Sequence, residues 1–176
     1  MTRSDSGWSE KVLHSFGSNG SGPYAGLIFD QAGNLYGTTQ TEYMGLGNGT
    51  VFMLSPSGDQ WTLTNLYVFP SGFTYPYARL TMDAAGSLYG TTSYFIGPLN
   101  YAGGDAGQGS VFKLAFSNGT WTYVDLHEFT GRNGDGGGPT GSVVVDANGN
   151  SYGTAGSGGT VLYCSGGCGI VWEIMP

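Results

Sequence analysis

His14 and His127 are the residues here best suited to act as general bases, and Cys164 and Cys168, four apart in "CSGGC", could bond each other or hold a metal. Asn133 and Asp135 in "RNGDGGGP" could offer oxygen ligands to Ca²⁺. Three carboxylates, Asp30, Asp83 and Asp146, each stand six positions before a tyrosine, Tyr36, Tyr89 and Tyr152. Paired carboxylates could serve as the acid and base of a hydrolase.

Each of these readings meets an objection in the sequence itself. His14 and His127 both fall six residues after a tryptophan, where the corresponding position after Trp61 holds Tyr67, and a recurring position argues for packing or surface over a unique base. A zinc site wants four ligands, and both histidines lie far from the cysteines in sequence, so a small disulfide loop is the expectation for "CSGGC", with free thiols as the alternative. The Asn133/Asp135 segment lacks the run of oxygen ligands of a recognised calcium loop. No cofactor is expected, with Ca²⁺ the weak exception. Neither HExxH, GxSxG nor a phosphate loop is present.

The aspartates recur because the text around them recurs. Residues 30–39 read "DQAGNLYGTT", residues 83–92 "DAAGSLYGTT" and residues 146–155 "DANGNSYGTA". Trp8, Trp61 and Trp121 each begin W-x4-L-x2-F, giving Leu13 and Phe16, Leu66 and Phe69, Leu126 and Phe129. An extended segment follows each time, "YAGLIFD", "YARLTMD" or "GSVVVD", and after a loop of variable length comes "GTVFML", "GSVFKL" or "GIVWEI". The tryptophans are spaced 61 − 8 = 53 and 121 − 61 = 60 residues apart, the period of a propeller blade or related repeat. One repeat domain over 1–176 with units 8–60, 61–120 and 121–176 follows.

Each unit predicts four short strands, since the recurring segments are strand-length runs bounded by Gly, Pro, Asn or Ser, and no window sustains helical periodicity. The expected role of Asp30, Asp83 and Asp146 is to accept backbone N–H bonds across a hairpin turn, with Gly33 taking the positive φ that a type I turn with a bulge requires. Tyr36, Tyr89 and Tyr152 are then expected to pack between sheets, and Trp8, Trp61 and Trp121 to be largely buried at equivalent places.

Composition agrees with such a fold. Gly supplies 34 of 176 residues and charged side chains only 10%, a look shared by extracellular β proteins. Five basic residues against 12 acidic ones give a net charge of −7, and the five are scattered, so nucleic acid is not an expected partner. The longest apolar stretches are strand-sized, which predicts no membrane helix. "MTRSDSGW" has no apolar h-region, so a signal peptide is absent or already removed.

The run of "PYAGLIFDQAGNLYGTT", "GTVF" and the following Trp resembles the GloVer-type tandem repeat of exported bacterial proteins, over Trp8 to about Ile174. The resemblance implies a β-propeller-like repeat region on a secreted or cell-surface protein, and it carries no assigned activity. The chain departs from the family pattern in having three units, in showing no anchor, and in the altered text and added cysteines of unit three.

Three blades close a ring poorly, since propellers take four to eight. The chain opens on a Trp-type strand that belongs after a Val-Phe strand, and its last repeat segment is "GIVWEI". The preferred architecture is therefore all-β and propeller-like, with three four-stranded blades per chain closed as a six-bladed ring by a homodimer. A threefold β-prism-like single chain, or a piece of a longer array, is the alternative.

Function is sought where the units differ. The loop between the Tyr-Gly-Thr and Val-Phe segments varies most in length and carries Glu42, Tyr43, Tyr94, Phe95, Asn100, Tyr101, Asp105, Gln108 and Tyr163. Aromatic faces beside amides and carboxylates suit a sugar or a cell-surface protein. The expectation is a non-catalytic extracellular scaffold or binding module; the alternative, by fold analogy, is a propeller-type hydrolase or lyase acting on a carbohydrate or lactone. Clustered carboxylates and His at a channel mouth would favour the enzyme, and a channel lined by Thr and Gly of the Tyr-Gly-Thr strands the scaffold.

Overall fold

The computed structural model describes residues 2–4, 7–17, 20–40, 49–70, 74–94, 108–131, 134–160, 163–164 and 166–176, and their regular structure is all β-strand. The first sheet runs β3 (Ile28–Phe29), β4 (Leu35–Thr39), β5 (Thr50–Ser57), β6 (Gln60–Val68), antiparallel throughout. The second is built around β9 (Leu88–Tyr94), β10 (Ser110–Ser117) and β11 (Thr120–Glu128), with β7 (Thr74–Tyr75) and β8 (Thr81–Met82) both on the free side of β9. The third holds β12 (Val144–Val145), β13 (Ser151–Ala155) and β14 (Ile170–Ile174). A separate hairpin joins β1 (Thr2–Ser4) to β2 (Gly7–Ser9).

Sheets and sequence units run one strand out of phase. The Trp61 segment, which opens the second unit, is β6 and pairs with β5 of the first; the Trp121 segment is β11 and pairs with β10. Two expectations fail on this account. The third sheet has three strands where four were expected, because no described residue pairs with the second edge of β14. In the first unit only Gly7–Ser9 of the Trp segment is strand, and residues 10–16 make no ladder. Trp8 consequently stands 72% exposed beside Arg3, while Trp61 and Trp121 are half-buried at equivalent places opposite Pro56 and Phe116.

The recurring glycine of Tyr-Gly-Thr has a packing cause. Gly37 opposes Phe52, Gly90 opposes Phe112, and Gly153 opposes Trp172, so each aromatic ring lies across a backbone with no side chain. A methyl group built on Gly90 would come 2.5 Å from Phe112 Cζ. The text "YGT…VF" is thus a cross-strand pair written in two places.

Neighbouring sheets bury one another's faces. Tyr36 and Val51 of the first sheet pack with Leu80, Leu88, Phe112 and Leu114 of the second, and Tyr89 and Val111 of the second pack with Val143, Ala155 and Trp172. Phe69 follows β6 yet lies T-shaped on Phe112 of the next sheet at 5.4 Å, and Phe129 follows β11 and meets Trp172 at 6.0 Å. Phe16 repeats the contact on Phe52 at 5.0 Å. Thr38 and Thr91, fully buried, donate to Pro76 O and Gly141 O of the following unit, so these threonines join sheets and do not line a channel.

Candidate functional site

The three D-x-x-G turns are built alike. Asp30 Oδ1 accepts the Asn34 N–H at 2.8 Å, Asp83 Oδ1 accepts those of Ala85 and Ser87 at 2.9 and 2.8 Å, and Asp146 Oδ1 accepts those of Asn148 and Asn150 at 2.8 and 2.9 Å. Gly33 sits at φ +86°, the left-handed conformation a bulged type I hairpin turn needs. The six-residue spacing to tyrosine is also explained. Tyr36, Tyr89 and Tyr152 each donate their hydroxyl to Oδ2 of the aspartate, at 3.0, 3.2 and 3.2 Å. The rings of Tyr36 and Tyr89 do pack between sheets, whereas that of Tyr152 is half-exposed on the third sheet and joins no core cluster; in all three the hydroxyl caps the turn.

These bonds favour the charged form at Asp30 and Asp146. Burial pushes the Asp30 carboxyl up, but the bonds from Asn34 and Tyr36 outweigh it and hold it below the usual carboxylate range. Asp146 is held low in the same way by Asn150, Asn148 and Tyr152 against the pull of burial. The Tyr36 hydroxyl is pushed up to about 12, by burial first and then by the Asp30 charge. Carboxylates so held, Asp30 and Asp146, are anions and acceptors at neutral pH.

Between the first and second sheets, at the turn end, lies an open cleft of about 700 Å³. Asp30, Asn34 and Tyr36 line one wall, Asp83 and Gly86 the other, and Phe116 and Trp121 of the second sheet complete it with Met53 and Met82. Trp121 tilts toward Tyr36 with centroids 6.2 Å apart and packs on Phe116 at 4.7 Å. Aromatic faces, carboxylate oxygens and an amide thus meet in one concavity. The corresponding place on the third sheet's side holds Tyr89 and Asp83, with Lys113 Nζ 4.9 Å above the Tyr89 ring and 3.7 Å from Asp83 Oδ2. Lys113 is held more firmly protonated, chiefly by its bond to Tyr89.

The variable loops leave the sheets at the opposite end from this cleft. Glu42, Tyr43, Phe95, Asn100, Tyr101 and Asp105 lie outside the described residues. Tyr94 pairs through its backbone with Thr74. Gln108 is half-buried and its backbone is paired, the main-chain N–H with Phe129 O at 2.8 Å and the main-chain carbonyl with the Gly138 N–H at 2.6 Å. Tyr163 is 96% exposed beside the Cys164–Cys168 disulfide, which forms as expected.

The remaining chemical candidates sit apart from the cleft's lining. His127 Nε2 lies 3.1 Å from Asp135 Oδ1, and its ring meets Phe129 edge-on at 4.7 Å; His14 meets Phe16 likewise at 4.8 Å, and Tyr67 meets Phe69 at 5.1 Å. Asp135 also accepts the N–H and hydroxyl of Thr130, both at 2.8 Å, while Asn133 lies outside the described residues. No group of three or more metal-capable side chains occurs among the described residues, and none of their helices is long and apolar enough to cross a membrane. Sequence reasoning overlooked the cleft because it sought function where units differ, while the cleft is lined by the shared text. The signal was present in the D-x5-Y spacing and the recurring Trp. No protein-family model and no curated protein matches the chain.

Proposed function

We propose that this chain is a non-catalytic, carbohydrate-binding repeat module of a secreted or cell-surface protein, its three sheets serving as blades of a GloVer-type propeller closed into a six-bladed ring by a second copy. The observation that carries the binding reading is the cleft, where Tyr36, Phe116 and Trp121 supply faces for the apolar side of a sugar ring and Asp30, Asn34 and Asp83 supply acceptors and an amide for its hydroxyls. The disulfide is compatible with an oxidising compartment. The scaffold reading draws support from the turn aspartates, each of which closes its own hairpin turn in the same way in all three units.

Tryptophan fluorescence titrated with neutral oligosaccharides of glucose, xylose, galactose and N-acetylglucosamine tests the reading. At least one series should quench or shift the emission, and Phe116→Ala, which removes a ring that is part-exposed in the cleft, should weaken that binding about two- to tenfold. Silence across the panel, or a response indifferent to Phe116→Ala, would refute carbohydrate binding in the cleft. Release of shortened or unsaturated products on long incubation would replace the module by a hydrolase or lyase.

A further inference from the structure

The third sheet and the N-terminal segment carry complementary deficits. Val171 of β14 is 82% exposed, whereas its counterparts Val51 and Val111 are 0% exposed beneath the neighbouring sheet. On that strand no described residue pairs with the outer edge. Residues 10–16 show the reverse condition. Leu13 and Phe16 dock on the first sheet as Leu66 and Phe69 dock on the second and Leu126 and Phe129 on the third, so the segment already holds the place of an outer strand of a preceding sheet. No strand among the described residues stands beside it as an inner strand.

We infer that residues 8–16 of a second copy form the missing outer strand on β14, reciprocally, and that the join completes a second aromatic cleft. The register follows from the two seams that are filled. In the first sheet Met53 opposes Thr64, Ser55 opposes Thr62 and Pro56 opposes Trp61; in the second Lys113 opposes Val124, Ala115 opposes Thr122 and Phe116 opposes Trp121. Counting from the tryptophan, the same register sets Glu173 against Lys11, Met175 against Ser9 and Pro176 against Trp8. Opposite charges thereby meet across the strands at Glu173 and Lys11. Glu10 takes the place of Tyr123, whose ring stacks on Tyr67 of the adjacent sheet at 4.3 Å, and its neighbour there is His127 beside Asp135.

Trp8 gives the assembly a functional consequence. Trp121 enters the cleft from the outer strand of the second sheet to face Tyr36 of the first. A Trp-type strand on the third sheet delivers Trp8 of the second copy to face Tyr89 in the same way, above Asp83 and Lys113. That cleft is incomplete in one chain. Its use for sugar rests on the proposed function; the strand join does not.

Two experiments on the ligand-free full chain test the join and leave the binding question separate. Ser9→Cys with Met175→Cys, oxidised and run without reductant, should give a species near twice 18.3 kDa, linked between chains at both seams. Lys11→Glu and Glu173→Lys should each weaken the dimer about three- to tenfold in sedimentation, and the double reversal should restore it. A disulfide within one chain would mean threefold closure and overturn the inference, as would open polymers, a monomer at micromolar concentration, or charge reversals that fail to compensate. Oligosaccharide binding with a compact monomer would leave the carbohydrate reading standing and remove the join together with the six-bladed ring.

Discussion

Gly90 and Phe112 offer the sharpest test of why this text repeats. The two oppose each other across β9 and β10, and a methyl on residue 90 would lie 2.5 Å from Phe112 Cζ, 2.9 Å from Cε1 and 3.0 Å from Leu80 Cδ2. Gly90→Ala overpacks the site and should cost about 1–3 kcal/mol. Phe112→Ala empties a fully buried position that also meets Phe69 at 5.4 Å and Tyr123 at 5.8 Å, and should cost about 3–5 kcal/mol. Independent sites would make the double variant about 4–8 kcal/mol less stable. With the ring gone, the two nearest of these approaches vanish and Leu80's at 3.0 Å stays, and alanine is better than glycine in a strand by about 0.5–1 kcal/mol, so the second change should become nearly neutral. The double variant should then lose about 3–5 kcal/mol, a coupling of about 1–3 kcal/mol. Urea unfolding measures it, with sulfate or sucrose added to keep the weaker variants folded. A coupling below about 0.5 kcal/mol would show that the glycine is not there to admit the ring.

Removing one hydroxyl by Tyr89→Phe should cost about 0.5–1.5 kcal/mol in the same assay, because the bond to Asp83 is lost and the ring stays; no change would mean the six-residue spacing serves packing alone. Because the folded pKa of Asp30 and Asp146 is depressed, their contribution is full above about pH 4 and is lost as pH falls through the folded value. Stability should therefore drop on acidification, and Asp30→Asn should flatten that drop; an unchanged acid limb contradicts the turn assignment. Tyr36, held at about 12, should remain a phenol when tyrosinate absorbance is followed to pH 11, and Tyr36→Phe should leave the curve below that pH unaltered. Thiol labelling of the folded protein without reductant should find neither Cys164 nor Cys168, and quantitative reaction of both would remove the disulfide.

Local chemistry was legible in the sequence wherever it closes within a few residues. The Asp30 turn, the left-handed Gly33 and the strand-length segments around them follow from residue types at short spacing, because a hairpin turn satisfies its own hydrogen bonds. Unit boundaries were legible from Trp8, Trp61 and Trp121, and so was the phase shift that puts each Trp strand after a Val-Phe strand. What the tryptophans experience was not. The same motif is half-buried at Trp61 and Trp121 and exposed at Trp8, since burial depends on which strand stands opposite: the long inner strands β5 and β10 face Trp61 and Trp121, while Trp8 faces only the three-residue β1. The cleft likewise belongs to tertiary structure: Tyr36 and Trp121 are 85 residues apart in number (121 − 36) and meet only because the first sheet packs on the second. Sequence dictates which side chains each sheet presents, and the packing of one sheet on the next decides which of them share a surface.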